Sequence, residues 1–352
     1  MIIDPTRPLT NYKLLDDIMM ELAGKLKIQQ LQGILADKWR PYMENLDTMC
    51  TDATCYESEM RYPTDAKLLW EGIEKSYATM CELSSRLGIH RPRTKLLDVQ
   101  KANLTYRKQT RKITRRLLDL LGKILKEIRE IERGHENAEN LLTVREKSDL
   151  EIITRVYRQQ KNHFRNNDSR ESIPNRIVSL SKPHLRPIVR GKEVKSVEFG
   201  AKVNNILVDG ISFIEKLSFN AFNEGTRLVH CLKMHKSLFG GEAKKVGGDT
   251  DYARTETRNH CKANGIQTSF VKRGRPFGEK KKEKDLVRKE LARVRATAME
   301  GSFGTQKEHY DLRRVKARTK RTVILYIFFG IHTANVVQLA DRIEQRSSLA
   351  AA

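Results

Sequence analysis

Aromatic side chains are scarce in this chain: Phe, Trp and Tyr make up 7% of its 352 residues. They form no platform on which bases could stack, which argues against a structural or RNA-binding helical protein. Cysteine is also sparse. Cys50, Cys55, Cys81, Cys231 and Cys261 are odd in number and scattered, as expected in a reducing cytoplasm rather than in a disulfide framework. His230, His235 and His260 lie near the later cysteines, but their spacings match no zinc pattern, and zinc is not expected. The longest apolar run, Val323 to Ile331, is too short to span a bilayer and reads as a buried core helix. Met1 to Asp17 holds no apolar stretch of the leader type, so no secretory signal is expected. No internal repeat of fixed period occurs. Acids are the minority charge: 44 Asp and Glu against 67 Lys and Arg leave a formal net charge of +23. The basic residues recur along the whole chain, so the expected partner is a nucleic acid, drawn by its phosphates. A hydrophobic content of 39% excludes wholesale disorder.

Periodicity then divides the chain. Leu15, Ile18, Met19 and Leu22 repeat at helical spacing, with Thr10 as an N-cap and Pro41 ending a second helical segment. Thr48 to Glu57 reads as a central strand buried on both faces. Thr64 and Asp65 open a long helical block that continues through Leu69, Ile73, Tyr77 and Met80. Further on, Ile113, Leu117, Leu120, Leu121, Ile124, Ile128 and Ile131 form an apolar stripe. Arg111, Lys112, Arg115, Arg116, Lys123, Lys126 and Arg129 lie on the opposite face, as a DNA contact or a solvated surface. Pro174, Pro183 and Pro187 mark a looped connection. Two strands, Val194 to Lys202 and Val203 to Phe213, are expected next, with turns near Lys202 to Asn205 and at Asp209-Gly210. A helix around Phe219 to Leu238 follows, then a short strand, Lys245 to Asp249. A helix capped by Thr255 and stopped by Gly265 leads to a strand from Ile266 to Val271. Lys272 to Lys284 reads as mobile. A long helix carries Glu300, last helices run from Arg321 to Gln345, and Ser347 to Ala352 reads as frayed.

Glu300 and Lys307 are seven residues apart, which on a helix places an acid and a base on one face two turns apart. Asp52 mid-strand, Asp249 at a strand end and Glu300 on a helix packed on the sheet are places from which a mixed sheet can gather three acids. Such a set suits two divalent ions and a phosphate. Asp47, Asp209, Glu224 and Asp251 are the competing acids. Asp251 is the most serious, since it would share a face with Asp249 if the strand continued. Gly301 and Gly304 each cost a helix about 1 kcal/mol relative to Ala. They imply close backbone approach to the sheet or to DNA, or a break in the helix.

These pieces carry a resemblance. In order they are Thr51-Asp52-Ala53-Thr54, Arg186 through Lys192, Glu198-Phe199-Gly200-Ala201-Lys202, Asp209-Gly210, Asn223-Glu224, and Gly248-Asp249-Thr250-Asp251-Tyr252. Asn259 through Lys262 with Gly265-Ile266 follow, and then Glu300 through Gly304 with Lys307. Across roughly Asp47 to Ala340 the chain resembles a bacterial insertion-sequence DDE transposase of the IS4/IS5-like group. The resemblance implies an α/β RNase H-like catalytic core with a long helical insertion between the first two catalytic acids. The implied regions are a helical N-terminal region at 1–46, the catalytic domain at 47–62 and 173–345, the helical insertion at 63–172 and a disordered tail at 346–352. It implies Asp52, Asp249 and Glu300 as catalytic and metal-binding residues for Mg²⁺ or Mn²⁺. It also implies DNA contacts from Lys307, Arg295, Arg190, Lys192, Arg273 and Arg275. The implied activity is metal-dependent phosphodiester hydrolysis and strand transfer at element ends, by a homodimer on duplex DNA in the bacterial cytoplasm and nucleoid. Two departures stand out. Arg293 and Ala296 occupy the places where relatives carry Tyr and Arg before the catalytic Glu. Only 51 residues precede Asp52, which implies an N-terminally truncated copy and, as the alternative, a DNA-binding or interfering remnant without catalysis.

Overall fold

The computed structural model describes residues 12–105, 111–136, 138–166, 173–189, 197–271 and 280–351. The chain divides into two compact units. Met60–Pro187 forms one, and Met1–Glu59 with Ile188–Ala352 forms the other.

The second of these is the sheet unit. Its first segment holds α1 (Tyr12–Lys25), α2 (Ile28–Trp39) and β1 (Thr48–Glu57). Pro41 sits in a 3₁₀ turn that ends α2, because its ring cannot continue the helical hydrogen bonds. β1 is buried along both faces apart from Thr48, Asp52 and Glu57, the burial that its non-alternating composition implies.

The helical unit consists of α3 (Asp65–Arg86), α4 (Leu96–Thr105), α5 (Arg111–Gly134), α6 (Ala138–Leu141) and α7 (Val144–Arg165). Thr64 caps α3 by accepting from the Lys67 amide. Asp65 in its first turn pairs with Arg176 and accepts from Gln160. Thr143 and Glu146 close a capping box at the start of α7. The whole α5 stripe, Ile113 through Ile131, is buried against α3 and α7, while its cationic face is exposed. Gly72 lets α3 approach closely: a Cβ there would already touch Ile153 and Leu121. The proline-rich connection does not loop freely. Ile177 and Leu180 turn back into the core of this unit.

After β2 (Pro187–Val189), the sheet unit continues with β3 (Val197–Val208) and β4 (Ile211–Ser218). The sheet order is β2-β3-β1 followed by β5 (Lys245–Gly247) and β6 (Gln267–Thr268), with β4 also pairing β3. β3 is antiparallel to β1 and β4, whereas β5 is parallel to both β1 and β6. The turn expected near Lys202 to Asn205 is absent, and one twelve-residue strand runs through it. The Asn204-Asn205 pair that looks like a turn is absorbed by a bulge against β4. Asn204 is buried there and donates to Glu215, while Tyr252 donates to it. The other expected turn is present, with Asp209 and Gly210 both at positive φ between β3 and β4.

α8 (Leu228–Phe239) begins nine residues later than expected, because Asn223 caps a separate 3₁₀ turn, Glu224–Thr226. Arg254 rather than Thr255 is the N-cap of α9 (Thr255–Ala263). α10 (Lys280–Val294) takes in the end of the segment expected to be mobile; residues 272–279 lie outside the described set. A π turn, Arg295–Met299, joins α10 to α11 (Glu300–His309). α12 then runs unbroken from Lys320 to Ala351, so the end expected to be a frayed or disordered tail is helical up to Ala351. That makes the apolar run part of a helix long and apolar enough, by length and composition, to cross a membrane. Within this unit, however, Val323, Leu325, Ile327, Phe328, Ile331 and Leu339 are buried, as in a core helix.

Candidate active site

The parallel pairing of β1 with β5 sets the geometry. Thr48 pairs with Lys245 and Cys50 with Gly247, a constant offset of 197 residues. Asp52 and Asp249 are separated by the same 197, so the offset carried two residues past the paired segment brings Asp249 toward Asp52, near enough for its charge to raise the Asp52 carboxyl. The paired part of β5 ends at Gly247. Asp249 then caps a 3₁₀ turn, Thr250–Tyr252, by accepting from the Thr250 amide. Asp251 lies inside that turn and is exposed, so the strand does not continue to put it on one face with Asp249.

Asp52 is covered by a helix. Cys50, Leu207, Met299 and Phe303 form a small core that seats α11 on the face of β1 carrying Cys50 and Asp52. The residues that meet the sheet or its polar groups are Leu291, Arg295, Met299, Phe303 and Gln306. Three successive steps of four residues would each overshoot an α-turn by about 40°. The π turn takes up that excess, as such bulges do at functional sites. Arg295 thereby donates to the Asp52 carboxylate at 2.6 Å, Lys307 donates to Thr54 at 2.8 Å, and Tyr56 donates to Gln306. Burial pushes the Asp52 carboxyl above its ordinary value; the Ala53 amide and Arg295 oppose the shift, and Glu224 and Asp249 add to it. Glu224 is therefore a close neighbour of Asp52. It is paired with Lys202 and held against the Asp249 turn, since a Cβ on Gly225 would collide with the Asp251 carbonyl.

Glu300 begins α11, five residues after Arg295 and seven before Lys307, and its side chain is exposed. Among the described residues, no group of three or more His, Cys, Asp or Glu is close enough to hold a metal ion. The two glycines beside Glu300 neither break the helix nor mark a close approach to the sheet. α11 runs through both, and a Cβ on Gly301 or Gly304 meets nothing within 4 Å. They leave the surface next to Glu300 bare. Asp47 pairs with Lys244, and Asp209 with Arg342 at the β3–β4 turn, which gives both acids structural partners. Arg295, expected as a DNA contact, is the ion-pair partner of Asp52. Arg190, Lys192, Arg273 and Arg275 lie outside the described residues. Sequence reasoning names Glu224 as a competing acid but misses the Asp52–Arg295 pair, which no local pattern signals.

A carboxylate on β1 and another just past the end of the parallel β5, crossed by a segment bearing Arg295 and Lys307, suit the handling of a phosphodiester with a divalent cation. Residues 246–337 match a protein family described as a transposase DDE domain. The matched segment contains Asp249, Arg295, Glu300 and Lys307, and excludes Asp52 and the helical unit. No curated protein and no solved structure matches the chain.

Proposed function

We propose that this chain is a metal-dependent DNA transposase that hydrolyses a phosphodiester at the ends of an insertion sequence and directs the freed 3′-hydroxyl into target DNA. The observation that carries the reading is the parallel pairing of β1 with β5, whose 197-residue offset is also the Asp52–Asp249 spacing, inside a chain whose later part matches a transposase domain. The strand order, with β3 antiparallel and β5 parallel to the central β1, supports reading the mixed sheet as an RNase H-like core. The helical unit falls between the two acids, in the place of an insertion.

Two carboxylates meet what Mg²⁺ asks of a protein, since it keeps waters and phosphate oxygens for its remaining positions. Asp52 and Asp249 would hold the ion, with Mn²⁺ as the substitute and Glu300 as a third ligand. When bound, the ion would supply activation of a water or 3′-hydroxyl and neutralisation of phosphate charge. Asp52 and Asp249 fix the position of that charge on the rigid sheet. Lys307, anchored on Thr54 two residues along β1 from Asp52, binds a backbone phosphate beside the cut. Gly301 and Gly304 leave room for the strand to lie against α11. A homodimer would bring two ends together.

The test is cleavage and strand transfer by the purified chain, with Mg²⁺, on duplex DNA taken from the flanks of its own gene. Asp249→Asn and Asp52→Asn should each abolish product while leaving the circular dichroism spectrum unchanged; undiminished cleavage by Asp249→Asn would sink the proposal. The second reading, a DNA-binding remnant without catalysis, is favoured by the Arg295–Asp52 ion pair, which sets a guanidinium where a cation would sit. Metal-dependent strand transfer by the wild-type chain removes it.

A further inference from the structure

The helical unit holds a second feature that the catalytic reading does not use. α5 and α7 pack side by side and leave a groove between them. At one end it opens into a cleft of about 680 Å³ lined by Arg111, Lys112, Arg115, Lys161 and Arg165 with a single acid, Asp119. Toward the other end it opens into a cleft of about 440 Å³, where Arg129, Arg155 and Arg158 stand with Glu132 and Glu151. The lining positions recur every three or four residues on each helix, so the two clefts lie along the same α5–α7 seam. Between them Tyr157 sits over Gly122, where a Cβ would come within 2.5 Å of its hydroxyl. The floor is apolar, from Leu118, Leu125 and Ile128.

None of these eight cations is in an ion pair among the described residues, although exposed Lys and Arg elsewhere in the unit, such as Lys126 and Lys147, do find acids. Arg155 lies close enough to the half-buried Arg186 to help burial lower that guanidinium's hold on its proton, a sign of a positive local field. From Arg111 to Arg129 the cations extend over roughly 27 Å of helix, at 1.5 Å per residue. One strand of a B-form duplex presents a phosphate every 3.4 Å or so of that length. Stacked bases are a poorer match. The two aromatic faces in the groove are already covered, with Arg111 over Phe164 at 4.7 Å and Lys161 over Tyr157 at 5.0 Å.

We propose that the α5–α7 groove is a docking site for the sugar-phosphate backbone of duplex DNA, independent of base sequence. The proposal rests on the DNA reading given above and adds a site to it. The backbone lies along the groove and its phosphates meet the cations of both rims, while Tyr157 on Gly122 holds the rims at fixed separation.

The experiment uses the full-length chain and a random-sequence duplex, with affinity measured between about 50 and 200 mM salt. The variant combines Arg115→Gln, Arg129→Gln, Arg158→Gln and Arg165→Gln. A matched control, Lys67→Gln, Lys95→Gln, Arg133→Gln and Arg145→Gln, removes the same charge from exposed positions outside the groove. The groove variant should bind at least about tenfold more weakly, and the slope of log K against log salt should shrink by about 3.6, near 0.9 for each phosphate no longer neutralised. The control should weaken by less than about twofold, and Arg→Lys at the four groove positions should retain binding. Should the fourfold variant lose helical signal, R115Q/R165Q gives the same readout with half the slope change. Equal weakening in groove and control variants overturns the site, as does tighter binding of single-stranded RNA than of duplex. If wild type binds and the groove variant binds equally, the groove fails and the transposase reading stands. If wild type binds no duplex at all, both fail.

Discussion

The two units handle charge in opposite ways. In the sheet unit charged groups are drawn inward and paired: Asp52 with Arg295, Glu224 with Lys202, and Glu215 with Arg227, whose side chains are 4% and 16% exposed. In the helical unit the apolar stripe of α5 is buried and the cations are left outside, with eight of them lining the α5–α7 clefts in no ion pair among the described residues. Burial makes each charge position-specific and costly to disturb, because the surrounding medium screens it weakly. Exposure makes charges weak singly and effective in number, through release of counterions. A single substitution should therefore matter in the sheet unit, whereas the helical unit should respond only to several at once.

That contrast can be broken in several places. The largest effect is expected at the acids. Glu300→Gln should lower strand transfer by at least about a thousandfold if Glu300 is the third ligand, while Glu224→Gln should mainly lower the melting temperature by freeing Lys202. The reverse ranking in parallel cleavage and melting assays would transfer the third position to Glu224. Next is Gly200→Ala. A Cβ at Gly200 collides with the Tyr56 carbonyl and the Glu57 backbone, so the β1–β3 ladder must part where Gly200 pairs with Glu57. A loss of about 3 kcal/mol or more in denaturant unfolding is expected.

A pH effect comes third. His332 is packed between Trp39, Phe213 and Phe328, and burial holds its ring neutral, with its pKa lowered to about 3. In the unfolded chain it titrates near 6.5, so between those values the unfolded state takes up a proton that the fold refuses. The stability contribution is thus complete above about pH 6.5 and is lost as pH falls below it, about 2 kcal/mol by pH 5. His332→Phe should flatten the fall in melting temperature over that range; an unchanged profile would show that other groups dominate. The smallest effect is expected at Gly122→Ala, where only the Tyr157 hydroxyl must give way. A cost of about 1 kcal/mol should appear in unfolding, with DNA affinity reduced through the spacing of the groove.

Much of this is legible where a single physical signal suffices. β1 can be read to its last residue because its strand-forming residues occupy both faces, as a strand buried on both sides requires. The α5 stripe, the Thr64 cap and the Asp209-Gly210 turn follow from spacing and local hydrogen bonding alone. The failures share a cause: each depends on a partner far along the chain. Asn204-Asn205 looks like a turn until Glu215 and Tyr252 supply the Asn204 amide with partners. The π turn exists because Met299 and Phe303 must meet Cys50 and Leu207. The pairing of Arg295 goes unread until β1 offers it Asp52. The approach of Asp249 to Asp52 lies in the sequence as a bare spacing of 197, but only strand register gives that number a meaning.

The same register sets a timetable for synthesis. β1 finds its nearest partner strand only at Gly200 to Val208, and its other partner at Lys245 to Gly247. The helical unit, compact within Met60–Pro187, is synthesised between β1 and both of these partners. Throughout that interval Met49 to Tyr56 is a strand with both edges open, the kind of segment that pairs with whatever strand it meets. Slower elongation would lengthen its exposure, so the yield of folded chain should fall when translation is slowed between β1 and β5.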